Sequence, residues 1–122
     1  MSAEVPMPPV PLPRDGFAPR RLALRAIMDG RGVDAVILSR PRSLAHYGGL
    51  AAPGGALLVI TAREALLLQT GGWERAAALL PGGCALGHEN AAAEELAVLV
   101  QALGPRRVLD LAAEIARQVG GR

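Results

Sequence analysis

Between Arg20 and Leu50 the chain passes from a helix-forming segment straight into four apolar residues without polar alternation, and this join restricts the available folds more than any other feature. In the helical part, leucines, alanines, Ile27 and Met28 occupy most of the circumference, while Arg21, Arg25 and Asp29 recur every four residues as one narrow polar stripe. A helix patterned in this way is expected to be covered on more than one side. Gly32 supplies the left-handed residue at which helices commonly end, and Val33 can fold back on the last turn. Ala35-Val36-Ile37-Leu38 follows at once. A strand apolar on both faces belongs inside a sheet with helices on both sides.

The rest of the chain adds elements of the same kind. The loop from Ser39 to Pro53 is rich in Gly and small residues, with Ser43 placed to cap one short helical turn. Gly55 to Ile60 and Ala65 to Gln69 read as two nearly unbroken apolar strands joined by the turn Thr61-Ala62-Arg63-Glu64, a hairpin that also needs cover on both faces. Trp73 to Leu80 is a short helix stopped by Pro81-Gly82-Gly83, and Cys84 to Gly87 a short strand. A regular helix is predicted from about Ala91 to Leu103, with Leu96, Leu99, Val100 and Leu103 on one face. Asn90 is its expected N-cap, Glu94 and Glu95 suit its dipole, and Gly104-Pro105 ends it. Arg107 to Leu111 is a last strand, after which Asp110 caps a helix bearing Leu111, Ile115 and Val119 about a turn apart.

A helix ending in Arg31-Gly32-Val33-Asp34-Ala35, a short apolar strand, and the loop Pro41-Arg42-Ser43-Leu44-Ala45-His46-Tyr47-Gly48-Gly49-Leu50 together resemble the N-terminal domain of the creatinase, prolidase and aminopeptidase P family. Pro41, Leu44 and Gly49 fit the family's loop, whereas Ser43, His46, Gly48 and Leu50 stand where it usually has Asn, Tyr, Thr and Phe. The resemblance covers roughly Phe17 to Leu111. With the element order, it implies an α/β fold: a single three-layer domain with a mixed sheet of about five strands and helices on both faces. It divides the chain into a Pro-rich extended leader, residues 1–16, and a domain over 17–122. The family domain runs on through a further strand and helix, so this domain is expected to end early, leaving an unpaired sheet edge that favours self-association. In the family two metal ions are held by Asp, Asp, His, Glu and Glu of a separate downstream domain. N-terminal domains contribute to dimer contacts and border a neighbouring subunit's active site. The resemblance therefore implies a non-catalytic role with no metal and no cofactor, and as partner a second copy or a separately encoded peptidase-like catalytic domain.

Composition narrows the alternatives. At 122 residues there is room for one core. The formal charge is +2, every basic side chain is Arg, and aromatic residues are nearly absent, which argues against nucleic acid. Cys84 is the lone cysteine, so no internal disulfide forms. The first residues carry Glu4 and prolines where a signal peptide needs a basic start and an apolar core, and no apolar run reaches membrane-spanning length. The expectation is a cytoplasmic protein without membrane contact. In the leader, Pro8-Pro9-Val10-Pro11 satisfies a PxxP pattern, but an extended arm along the domain or in solvent is the plainer reading.

Motifs for chemistry are weak. His88-Glu89 lacks the second His of a zinc-protease helix, and Gly30-Arg31-Gly32-Val33-Asp34-Ala35 runs from helix to strand, the wrong way round for a dinucleotide site. A Ser-His-Asp set drawn from Ser39 or Ser43, His46 or His88, and Asp110 has no GxSxG elbow. The loop Arg40 to Gly49 is the best candidate. It follows the carboxyl end of a buried strand and groups Arg40, Arg42, His46 and Tyr47 as ligand- or interface-binding residues. The plainer alternative is that Tyr47 packs and the arginines are solvated. Two further readings stay open: a gene remnant without activity, and a small-molecule-binding or hydrolytic enzyme using this loop.

Overall fold

The computed structural model describes residues 9–12, 15–49, 55–69 and 72–120. Most of the leader, with Pro6, Pro8 and Pro13, and the segment from Leu50 to Gly54 lie outside the described residues. In chain order the elements are β1 (Val10–Pro11), α1 (Ala18–Arg31), β2 (Ala35–Leu38), α2 (Pro41–Gly48), β3 (Leu57–Thr61), β4 (Ala65–Leu68), α3 (Gly72–Ala78), β5 (Ala85–His88), α4 (Ala93–Leu103), β6 (Arg107–Asp110) and α5 (Ala112–Val119).

The strands form one mixed sheet in the order β1-β4-β3-β2-β5-β6. β2, β5 and β6 run parallel, whereas β2, β3, β4 and β1 are successively antiparallel. The unalternating apolar runs are explained by cover on both faces. Val36 and Leu38, Leu58 and Ile60, and Ala65 and Leu67 point into a core shared with Leu24, Met28, Leu44, Tyr47 and Ile115, so α1, α2 and α5 form one outer layer. Ala35 and Ile37, Leu57 and Val59, and Leu86 point the other way, against Ala76, Ala77, Leu99 and Leu103 of α3 and α4. The result is the three-layer α/β domain expected from the sequence.

The sheet has six strands rather than about five, because the leader contributes one. Val10 pairs with Leu67 and Pro11 with Leu66, and Leu12 donates to Ala65 O at 2.8 Å. Proline is tolerated there because an edge strand needs ladder donors on one side only. Gly32 closes α1 as predicted, with φ 67° and Val33 N donating to Met28 O at 2.8 Å.

Three local expectations are corrected. Around α1 the two arginines of the polar stripe turn inward, and Asp29 alone stays exposed. Arg21 is buried beside Leu24 and Met28, while Leu22 is 67% exposed, so the helix is covered on one side and its longest cations reach inward to backbone carbonyls. Asn90 does not cap α4. It lies in the left-handed region at φ 51°, and the helix begins after Ala92, whose N–H is taken at 2.9 Å by Glu95. Val100 is 47% exposed although its sequence spacing groups it with Leu99 and Leu103, because only the latter pair points at the sheet.

Candidate functional site

The parallel strands β2, β5 and β6 end on the same side of the sheet, where the chain delivers Arg40, Glu89 and Asp110. Helix α2 starts there. Arg40 is its extended N-cap residue and Pro41, which lacks an N–H, sits in the first turn, where that donor has no partner to lose. Ser43 therefore lies inside the helix rather than at its cap, correcting the sequence expectation. Its hydroxyl instead faces the buried Glu89 carboxylate, with Oγ 2.7 Å from Oε1 and 2.8 Å from Oε2. One hydroxyl hydrogen serves both oxygens.

Burial pushes the Glu89 carboxyl above the usual carboxylate range. The Ser43 hydrogen bond and the Arg40 charge work against this rise, and Asp110 adds to it. Burial works in the same upward direction on Asp110, but there the backbone N–H groups of Ala112 and Asn90, bonding at 2.9 and 3.0 Å, prevail with help from His88 and Arg40, and the group ionises more readily than usual. Asp110 thus binds the first amide of α5, one residue before the N-cap, and ties the end of β5 to the end of β6.

Arg40, Arg42, Ser43 and Glu89 line a cavity of about 130 Å³, closed on its far side by Ala116, Val119 and Gly120 of the last helix and its end. Two cations at the rim and one carboxylate inside can hold a small zwitterion or a charged side chain of another polypeptide. The other two residues named from the sequence lie apart from this cavity. His46 is half-buried, with burial and the Arg20 charge lowering its pKa, and its ring meets Tyr47 edge-on at 4.7 Å between centroids. Tyr47 does not reach the surface; it fills the core and donates its hydroxyl to Gln118 at 2.5 Å.

Helix α1 fixes the far end of α2. Arg20 donates to His46 O at 3.2 Å and Arg21 to Tyr47 O at 2.8 Å, so two carbonyls left open at a helix end receive guanidinium donors. Arg21 is held in turn by Asp15 at 3.0 Å. Gly49 follows at φ 66°, and a Cβ there would lie 2.4 Å from the Phe17 ring, so this position requires glycine for both its backbone and its neighbour.

The Ser-His-Asp set does not come together. Ser43 gives its hydrogen to Glu89, His88 Nδ1 accepts the Ala91 N–H at 3.0 Å, and Asp110 is bound to backbone N–H groups. Among the described residues no group of three or more His, Cys, Asp and Glu side chains is arranged to hold a metal ion. Cys84 is buried, and burial followed by the Asp34 charge pushes its thiol pKa up, which leaves it a structural side chain.

Sequence reasoning missed Glu89 and Gln118. The signal for Glu89 was an apolar strand ending in His88-Glu89 at the same sheet edge as Arg40. Gln118 carried none, since its role depends on how α5 packs over Tyr47. A wider groove of about 650 Å³ at the opposite end of β2, between Met28, Val33, Leu80 and Cys84, was also not foreseen.

Residues 20–118 match the family model of the Creatinase/Prolidase N-terminal domain. The chain belongs to this family. Solved structures share the fold of this creatinase/prolidase N-terminal domain at low identity. The prolidase from Pyrococcus horikoshii OT3 is 16% identical with a TM-score of 0.69, over 80% of this chain and 33% of that one. A proline dipeptidase from Streptococcus pneumoniae TIGR4 is 13% identical with a TM-score of 0.65, over 80% and 95%. The Creatinase/Prolidase N-terminal domain of an X-Pro dipeptidase from Streptococcus pyogenes is 16% identical with a TM-score of 0.63, over 80% and 96%. The chain thus spans a third of the Pyrococcus prolidase and nearly all of the two streptococcal structures. No curated protein sequence matches it.

Proposed function

We propose that this creatinase/prolidase N-terminal domain acts without catalysis of its own, by associating with another polypeptide: a second copy of itself or a separately encoded catalytic chain of the same family. The observation that carries the proposal is the coverage. The same fold that takes up this chain takes up only a third of a complete prolidase, so what the chain resembles is a part that works beside a larger remainder. The rim made by Arg40 and Arg42, with His46 farther along α2, is the surface we assign to a catalytic partner, and Tyr47 supports it from inside. A cytoplasmic setting belongs to the proposal; it is supported by the single buried cysteine, and no described helix is long and apolar enough to cross a membrane.

The test is calorimetric titration of the purified chain with the catalytic chain that carries the two-metal ligand set in the same genome, beside light scattering of the chain alone. A complex in the micromolar range, or a dimer at tens of micromolar, is the expected result, and Arg42→Glu should weaken the mixed complex about tenfold. A monomer that gives no heat with the catalytic chain overturns the proposal. So does metal-dependent hydrolysis of Xaa-Pro dipeptides by the chain alone. The Arg40-Glu89 cavity favours one other reading, capture of a small zwitterion, which a concentration-dependent rise in thermal midpoint with free amino acids would support.

A further inference from the structure

Resting on the association reading, we infer that the outer edge of β6 is a self-complementary surface on which a second copy of this chain pairs antiparallel about a two-fold axis. The sheet has two edges. At one, β1 carries Pro11, and Pro9 precedes it, so backbone donors are missing where another strand would need them. At the other, no described element covers β6, and Arg107, Val108 and Asp110 are exposed. Leu111 donates inward to His88 O at 2.8 Å and Val108 stands opposite Leu86, so strand alternation turns the backbone groups of Leu109 toward β5 and those of Val108 and Asp110 outward.

The side chains choose the register. A two-fold axis perpendicular to the sheet keeps its faces matched, so each residue meets one of the same alternation. Centring the pair on Arg107 sets two arginines against each other, and centring it on Leu109 sets Val108 against the copy's Asp110. Centring on Val108 places that apolar residue against its own copy and flanks it on both sides with Arg106 opposite the copy's Asp110. In this register the outward backbone groups of Val108 meet those of the copy's Val108, a hydrogen-bonded pair on the axis. Charges on an edge strand ordinarily guard against pairing. Here they are of opposite sign at a spacing that makes them complementary. Arg106 can exchange its present partner, since its 3.3 Å contact with Asp34 joins two half-exposed groups. Both hydrogen bonds of Asp110 use Oδ1, which leaves Oδ2 for the incoming guanidinium.

The experiment combines light scattering of the full chain with cysteine cross-linking. A dimer is expected at tens of micromolar, weakened about tenfold or more by Val108→Lys, which sets like charges on the axis, and by Val108→Pro, which removes the outward N–H there. Oxidation of Val108→Cys with diamide should give a disulfide-linked dimer, because residues facing in a hydrogen-bonded antiparallel pair bring their Cα atoms to about 5.5 Å, within disulfide reach. Arg107→Cys should not, since its two copies are offset along the strands, and the native chain with buried Cys84 is the control. Unfolding curves confirm that each variant is folded. A dimer unaffected by Val108→Lys and Val108→Pro, or lacking the Val108→Cys cross-link, overturns the β6 surface. A monomer that binds the catalytic chain also overturns it while the association reading stands; a monomer that binds neither overturns both.

Discussion

Burying Glu89 behind Ser43 makes its carboxyl harder to ionise in the folded chain than in the unfolded one. Between the unfolded value of 4.5 and the raised folded value the native state binds more protons, so this group's contribution to stability falls as pH rises through that window. Glu89→Gln keeps an acceptor for the Ser43 hydroxyl and removes the charge. Thermal melts from mildly acid to neutral pH should show the variant gaining on the parent as pH rises; a gap that stays constant with pH would show that Glu89 does not titrate as described. Ser43→Ala should cost about 1–3 kcal/mol, the usual penalty for leaving a buried acceptor without its donor, measured by urea unfolding at pH 7. The site was legible from sequence only on its exposed side. Arg40 and Arg42 follow a recognisable strand, but the carboxylate that completes the cavity arrives from a strand separated by the whole hairpin and α3. Nothing in local sequence reports such a meeting.

At the level of elements, local pattern sufficed wherever burial was symmetric or a glycine stopped a helix. β2, the β3–β4 hairpin and the end of α1 lie close to their predicted positions, because apolar runs and Gly32 act within a few residues. Pattern failed where a polar side chain had a distant partner. Arg21 was assigned to a polar stripe because no local rule announces the Tyr47 carbonyl and Asp15 that bury it. The face of α4 shows the same limit. Leu99 and Val100 both fit a helical stripe, yet the sheet selects Leu99. Leu99→Ala is expected to cost about 2–5 kcal/mol, as truncations in cores do. Val100→Ala should stay within about 0.5 kcal/mol, the range for surface changes. Denaturant midpoints for the two variants decide it, and equal losses would mean that α4 is rotated from the orientation described. Arg21→Met, which keeps the apolar stem but not the donors, should loosen the end of α2 and appear as faster amide exchange near Gly49.

For the whole molecule, the two sheet edges differ in kind. β1 closes one with prolines, and deleting residues 1–11 would bare β4, whose leucines then flank unpaired backbone. Light scattering of that deletion should show species larger than those of the intact chain; an unchanged mass would mean that β1 protects nothing. The sequence marked the leader as extended but not as a strand, because a proline-rich arm has no pattern of its own until it lies beside β4. A consequence follows for growth. In the language of polymer chemistry, a monomer with two reactive ends gives a chain of indefinite length, and one with a single reactive end gives a pair and stops. With β1 as the inert end, two copies meeting at β6 would make one doubled sheet terminated by proline on either side. The leader would then fix the degree of polymerisation although it lies at the opposite side of the sheet from the junction.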